Sequence, residues 1–357
     1  MQEIKLSIIK KLVNYFDTTL IKDHTDQFYL FDSDLDGNAS SCTTGQVACL
    51  YLLDEIYNGN DRKKIIKDLL KQIRNQQLTS GAFAQPYFVE HGKQGTIDIA
   101  EIGAVSNALF HIYQQTGIVD AKKVLISASN YLLTQVSKEN PGAVYKNPQA
   151  KQHDVLNGDI YAAHTWGRAF QLTEDKKYLD QSLTVVEHIL SRFGVNSKGW
   201  WPYIELWNGQ VGMGNSVSYQ ATIIAFTHTI LPFMDDSLRN KWMNVVNEAI
   251  KTIEKAVDIG PNDENEEPWW CRDWNNTWEI YLAFYRFENR EKIREIADTR
   301  LIELNRDFQQ YGIDLFKPKI DSKDPNKSPV TTTFRKAATF SGIFSYIVLD
   351  EKYTYLN

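Results

Sequence analysis

The chain repeats itself. Short turns fall near residues 60, 118, 174, 235, 289 and 350, spaced by roughly 55 to 61 residues, and a long loop lies midway between successive turns. Apolar residues recur at helical spacing on both sides of each turn, and strand alternation is almost absent. Segments entered from the long loops are apolar on most faces: ACLYLL, IGAVSNALFHIY, ATIIAFTHTIL, EIYLAFY and FSGIFSYIVL. The segments between them carry lysine and glutamate on one face. A helix that is hydrophobic all round is buried, whereas a one-sided helix lies at the surface. The pattern predicts an N-terminal amphipathic helix and then helices over 42–58, 61–76, 97–115, 120–137, 156–172, 175–193, 215–233, 237–257, 273–287, 290–307 and 334–349. Six buried and six amphipathic helices in alternation make two concentric rings. The expected fold is all-α, an (α/α)6 toroid of six helical hairpins, with one domain over 1–357.

Composition narrows the function class. A hydrophobic fraction of 43% with 24% charged residues fits a globular protein with a full core. The net charge of −6 argues against nucleic acid or an anionic membrane as the main partner. The opening MQEIKLSIIKKLVNYF is interrupted by lysines and lacks a cleavage site, so it reads as an amphipathic helix rather than a signal peptide. No stretch approaches the roughly 20 apolar residues of a membrane span. Cys42, Cys49 and Cys271 lack zinc-ligand spacing and read as reduced thiols. The expectation is a cytoplasmic protein without metal or cofactor; nothing in the sequence sets an oligomeric state.

Every long loop joins an outer helix to an inner one, so all of them share one rim with the inner-helix N-termini, which bring free N–H groups and partial positive charge. The loop GWWPYIELWNGQVGMGNSVSYQ, residues 199–220, is the richest. Trp200, Trp201 and Trp207 offer flat faces of the kind that stack on sugars, although core packing uses them too. Glu205, Asn215 and Gln220 add hydrogen-bonding groups. Elsewhere on the rim stand Asp98 and Glu101, three apart on one helix face; His153 and Asp159; Tyr219; Arg272, Asp273 and Trp274; and Arg335. Any one of the rim Asp, Asn or Ser residues is readily explained as an N-cap. Five of six inner helices with carboxylates or bases at one rim point collectively to a ligand site. Asp98 and Asp159, on successive inner helices, would supply acid and base for glycoside hydrolysis if they face each other across the cavity. Tyr219 with His153 is the alternative pair, suited to β-elimination or epimerisation of a uronate. Arg272, Arg335, Lys146 and Lys151 would meet a carboxylated or phosphorylated substrate. The stretch DSDLDG matches half of a calcium loop through Asp32, Asp34 and Asp36, but Thr43 stands where a bidentate glutamate is wanted.

Several long loops share a glycine–aromatic signature: GAFAQPY, GAVYKNP and GWWPYIE, then the glycine-less PWWCRD. With the helix ends QQTG and QLTEDKKYL, these make the chain resemble the six-hairpin toroid enzymes. That group includes the unsaturated glucuronyl hydrolases, the polysaccharide lyases with a toroid domain and the N-acylglucosamine 2-epimerases. The terpenoid cyclases share the architecture, but the rim here is more polar than their cavities. The resemblance implies a carbohydrate-active enzyme, foremost a hydrolase of uronate-containing oligosaccharides, with a lyase or epimerase as the second reading and a non-catalytic binding toroid as the third. It implies that two aspartates on successive inner helices, matched here by Asp98 and Asp159, carry the chemistry.

Overall fold

The computed structural model describes residues 1–87, 95–259, 278–285, 291–317 and 332–353. Among these, twelve α-helices alternate between an outer and an inner layer. The outer helices are α1 (Gln2–Asp17), α3 (Lys63–Gln76), α5 (Val119–Leu133), α7 (Lys176–Arg192), α9 (Asp236–Ile259) and α11 (Glu291–Tyr311). The inner helices are α2 (Ser41–Asn58), α4 (Ile99–Thr116), α6 (Leu156–Thr173), α8 (Val217–Thr227), α10 (Glu279–Tyr285) and α12 (Thr333–Tyr353). Each inner helix packs on the next, and α12 packs back on α2, so the inner ring closes. The predicted toroid is the observed one.

The two layers follow from composition. In α3, Ile66, Leu69, Leu70 and Ile73 are buried along one stripe while its lysines face outward. In α8 the residues from Gln220 to Thr227 are buried on every face. Each such aliphatic side chain contributes about 1.5–3 kcal/mol when removed from water. The first three short turns fall where the sequence places them because α2, α4 and α6 each end in a left-handed residue. Gly59 and Gly117 take this conformation with φ of 70° and 68°. Their sites are open, so the backbone angle rather than crowding is what favours glycine there. Glu174 adopts the same cap with φ of 58° at a non-glycine cost. Between inner helices, space decides. A Cβ on Gly103 of α4 would lie 2.5 Å from the Tyr161 ring of α6, so this glycine lets the tyrosine fill the interhelical gap.

Two details differ from the sequence reading. The rim loops contain short antiparallel ladders. β1 (Leu20–Lys22), β2 (Phe28–Asp32) and β3 (Gly37–Asn38) form one sheet, β4 (Ala84–Gln85) pairs with β5 (Thr96–Ile97), and β6 (His153–Val155), β7 (Ile204–Leu206) and β8 (Val211–Met213) form the third. Ladders of two to five residues are too short to print a period on the sequence. The helix expected over 215–233 ends at Thr227, and Leu231–Phe233 forms a 3₁₀ turn around Pro232, which has no N–H to continue the α ladder. No helix among the described residues is long and apolar enough to cross a membrane.

Candidate active site

The starts of all six inner helices communicate at one end of the ring. Ser40 caps α2 by accepting the Thr43 N–H, and Asp98 caps α4 by accepting the Ala100 N–H at 2.8 Å. The spacing of Asp98 and Glu101 is that of a capping box, in which the glutamate turns back on its own helix. Here Glu101 reaches across instead and accepts the Cys42 N–H of α2 at 2.7 Å. It is 2% exposed, and burial pushes its carboxyl up to about 7 despite that hydrogen bond and others from Ser40 and Ser41. The Tyr87 hydroxyl donates to Ser40, and the same ring lies under the Arg335 guanidinium at 4.1 Å, which links α12 to the cluster.

Opposite α4 across the six-membered ring stands α10, which brings Glu279. Burial raises its carboxyl, offset in part by the Ser218 hydroxyl of α8 and by its own backbone amide. Burial also raises Asp98, offset first by Lys146, whose Nζ stands 4.0 Å from Oδ2, and then by the Ala100 amide. Tyr161 of α6 feels both carboxylates: its hydroxyl is pushed well up by burial and then by the charges of Glu279, Cys42, Tyr219 and Asp98. Cys42 is raised by burial, Glu101 and Glu279. Cys42, Tyr161 and Glu279 keep accessible surface although protein surrounds each of them. Side chains with that combination line a concavity. Tyr219 stacks on Tyr203 with ring centroids 4.1 Å apart.

The structure does not bring Asp98 and Asp159 face to face. Asp159 is 0% exposed; its Oδ1 accepts the Val144 N–H at 2.7 Å, and its neighbours are Asp154 and His188 of the outer helix α7. Burial and the Asp154 charge hold its carboxyl well above the usual range. Asp154 Oδ2 accepts from His188 Nε2 at 2.7 Å. Asp154 and His188 border a separate cleft of about 280 Å3 on the outer side of the rim, and Asp159 is buried behind them. His153 begins β6, opposite Leu206 of β7.

The rich loop 199–220 is mostly committed to packing. Trp201 is 2% exposed, stacked on Trp242 at 5.8 Å, edge-on to Phe193, and donates its indole N–H to the Ile189 carbonyl. Trp200 is 5% exposed in the same core. The expectation that these two stack on sugar is corrected by their burial between outer helices. Glu205 is corrected likewise: both its oxygens accept from Arg192, at 2.8 and 2.7 Å. Gln220 accepts the Trp201 N–H and donates to the Gly199 and Ala249 carbonyls, so it braces the loop. Asn215 is buried just before the α8 cap, Ser216. Trp207 is half-buried at the outer cleft, its indole donating to the Lys151 carbonyl. Arg335 donates to Asp32 at 2.9 Å and to Asp34 at 2.7 Å, so a guanidinium already serves the carboxylates read as half a calcium loop. Arg272, Asp273 and Trp274 lie outside the described residues.

Sequence reasoning singled out neither Tyr161 nor Glu279. Gly103 is the available signal for Tyr161, since a glycine amid bulky inner-helix residues marks where a neighbouring ring must enter. Glu279 stands out only once α10 is known to face α4.

No family model matches the chain, and no curated protein is detectably similar to it in sequence. Solved structures are similar in fold. An unsaturated glucuronyl hydrolase specific for heparin aligns over 98% of this chain and 97% of its own, with 11% identity and a TM-score of 0.61. A sugar epimerase from a ruminal bacterium aligns over 97% and 98%, with 12% identity and a TM-score of 0.64. A GH76 α-mannanase from Bacteroides thetaiotaomicron aligns over 98% and 97%, with 11% identity and a TM-score of 0.64. Identities this low speak to architecture, and the alignments run nearly the full length of each chain. The protein has the six-hairpin (α/α)6 toroid fold that these enzymes share.

Proposed function

We propose that the protein is a carbohydrate-active enzyme that hydrolyses a glycosidic bond in a uronate-containing oligosaccharide at the axial concavity. The observation that carries this reading is that Glu279 and Asp98 stand at the starts of opposite inner helices, α10 and α4, with Tyr161 feeling both charges. Glycoside hydrolysis needs two carboxyl groups flanking the scissile bond, one protonated and one ionised. Glu279 is the better proton donor, because its raised carboxyl is compensated by a hydroxyl and a backbone amide rather than by a cation. Asp98 is the better base, because Lys146 and the α4 N-terminus favour its ionised form. Glu279 gives its proton to the glycosidic oxygen as the bond to the anomeric carbon breaks. Asp98 takes a proton from the attacking water, and solvent exchange restores both groups. Lys146 is placed to meet a substrate carboxylate. Glu101 holds α2 against α4 and so positions Asp98 without needing to touch the sugar. The names of the fold relatives, a glucuronyl hydrolase, a sugar epimerase and a mannanase, support a sugar as substrate.

The test is release of reducing ends from unsaturated heparin disaccharides, with α-mannan oligosaccharides as the neutral comparison. Glu279→Gln and Asp98→Asn are each expected to lose about 10²–10⁴-fold in rate. Two variants with undiminished hydrolysis end the proposal. On saturated heparin oligosaccharides, a product with the ultraviolet absorbance of a newly formed unsaturated uronate would instead favour elimination through Tyr219 and His153.

A further inference from the structure

The outer cleft holds a second constellation that the axial site does not use. One ligand atom each from Asp154 of β6, Asp159 of α6 and His188 of α7 lie within 4.8 Å of one another. Both aspartates are buried, and the remaining oxygens, Asp154 Oδ1 and Asp159 Oδ2, have no hydrogen-bond donor. A buried carboxylate oxygen without a donor is costly unless a cation or a proton meets it. Arg192, which lines the same cleft, is already gripped by both oxygens of Glu205. The cleft, bordered also by Glu139, Ser191 and Trp207, gives access from outside.

The geometry points to a binding site for a divalent first-row transition ion, of the Zn²⁺ or Mn²⁺ class, held by Asp154, Asp159 and His188. An imidazole with two carboxylates suits such ions, whereas Ca²⁺ and Mg²⁺ favour all-oxygen sets. Ligand atoms around one ion at bond lengths of about 2.1 Å lie no more than about 4 Å apart, so the trio closes by under roughly 1 Å on binding.

Asn140 sets the protonation state that the ion must displace. Its Oδ1 accepts the Gly142 N–H at 2.9 Å, so its amide N–H faces His188 Nδ1 at 3.0 Å. That leaves the proton on Nε2, where it is donated to Asp154. Ion binding needs the Nε2 lone pair, so the ring proton moves to Nδ1 and Asn140 must turn its oxygen toward it. An aspartate at 140 would serve both donors at once, one oxygen for Gly142 and the other for Nδ1–H, as in carboxylate–histidine–metal arrangements.

The experiment is calorimetric titration of the full chain, dialysed against a chelator, with Zn²⁺ and with Mn²⁺ separately. One saturable site per chain is expected for at least one of the two ions. His188→Gln is expected to weaken it at least tenfold, and Asn140→Asp to tighten it by about tenfold. Circular dichroism checks that His188→Gln is folded; if it is not, Asn140→Asp decides. No saturable site, wild-type affinity in folded His188→Gln, or no tightening in Asn140→Asp overturns the assignment and leaves a proton between the two carboxyls.

Discussion

Replacing Glu101 with glutamine isolates one buried proton. Burial raises this carboxyl from 4.5 to about 7. The folded chain therefore holds a proton that the unfolded chain releases more readily. At about 1.36 kcal/mol per pH unit, the difference amounts to about 3 kcal/mol. For a group raised on folding, the stabilisation is complete below the unfolded value near 4.5 and is lost as pH rises through about 7. The glutamine amide mimics the protonated carboxyl and does not titrate. Urea unfolding of wild type and Glu101→Gln at about pH 5 and about pH 8 measures the term as a difference, in which other titrating groups, Asp159 among them, cancel. The stability of Glu101→Gln relative to wild type is expected to rise by about 3 kcal/mol between the two pH values. A relative stability constant to within about 0.5 kcal/mol would refute the linkage and the burial argument behind it.

Four further substitutions, at three positions, test the packing around the site. Asp32→Asn removes the buried carboxylate charge that pairs with the Arg335 guanidinium and is expected to destabilise by about 3–5 kcal/mol in urea unfolding. Gly103→Ala drives a methyl into the Tyr161 ring and is expected to cost about 1–3 kcal/mol with a changed near-ultraviolet circular dichroism spectrum. Trp201→Ala is expected to lose about 3–5 kcal/mol of stability, while Trp201→Phe leaves the KM for any sugar substrate unchanged; a raised KM in stable Trp201→Phe would return that indole to the binding site.

The repeat made the ring legible because each hairpin restates the same two faces, buried and one-sided, and left-handed residues at Gly59, Gly117 and Glu174 end α2, α4 and α6. The site was less legible because side-chain direction is not a sequence property. Asp98 and Asp159 sit at similar places in successive hairpins, yet Asp98 is the cap itself, while Asp159 lies one turn into α6 and turns toward α7. Glu205 and Trp201 looked like ligand contacts because their partners, Arg192 and Trp242, belong to outer helices whose facing residues no local pattern reveals. Glu101 shows the same limit, since the spacing of a capping box gives no hint that its carboxylate serves the neighbouring helix.

The most direct test of the axial assignment is the pH profile of kcat/KM for hydrolysis of a uronate-containing oligosaccharide. A proton donor must be protonated in the free enzyme, so the wild-type rate is expected to fall as pH rises through the Glu279 value, which burial raises above that of an ordinary glutamate. Glu279→Gln is expected to remove that limb together with at least about 10²-fold of the rate. A Glu279→Gln enzyme with the wild-type rate and the wild-type alkaline limb would contradict the account.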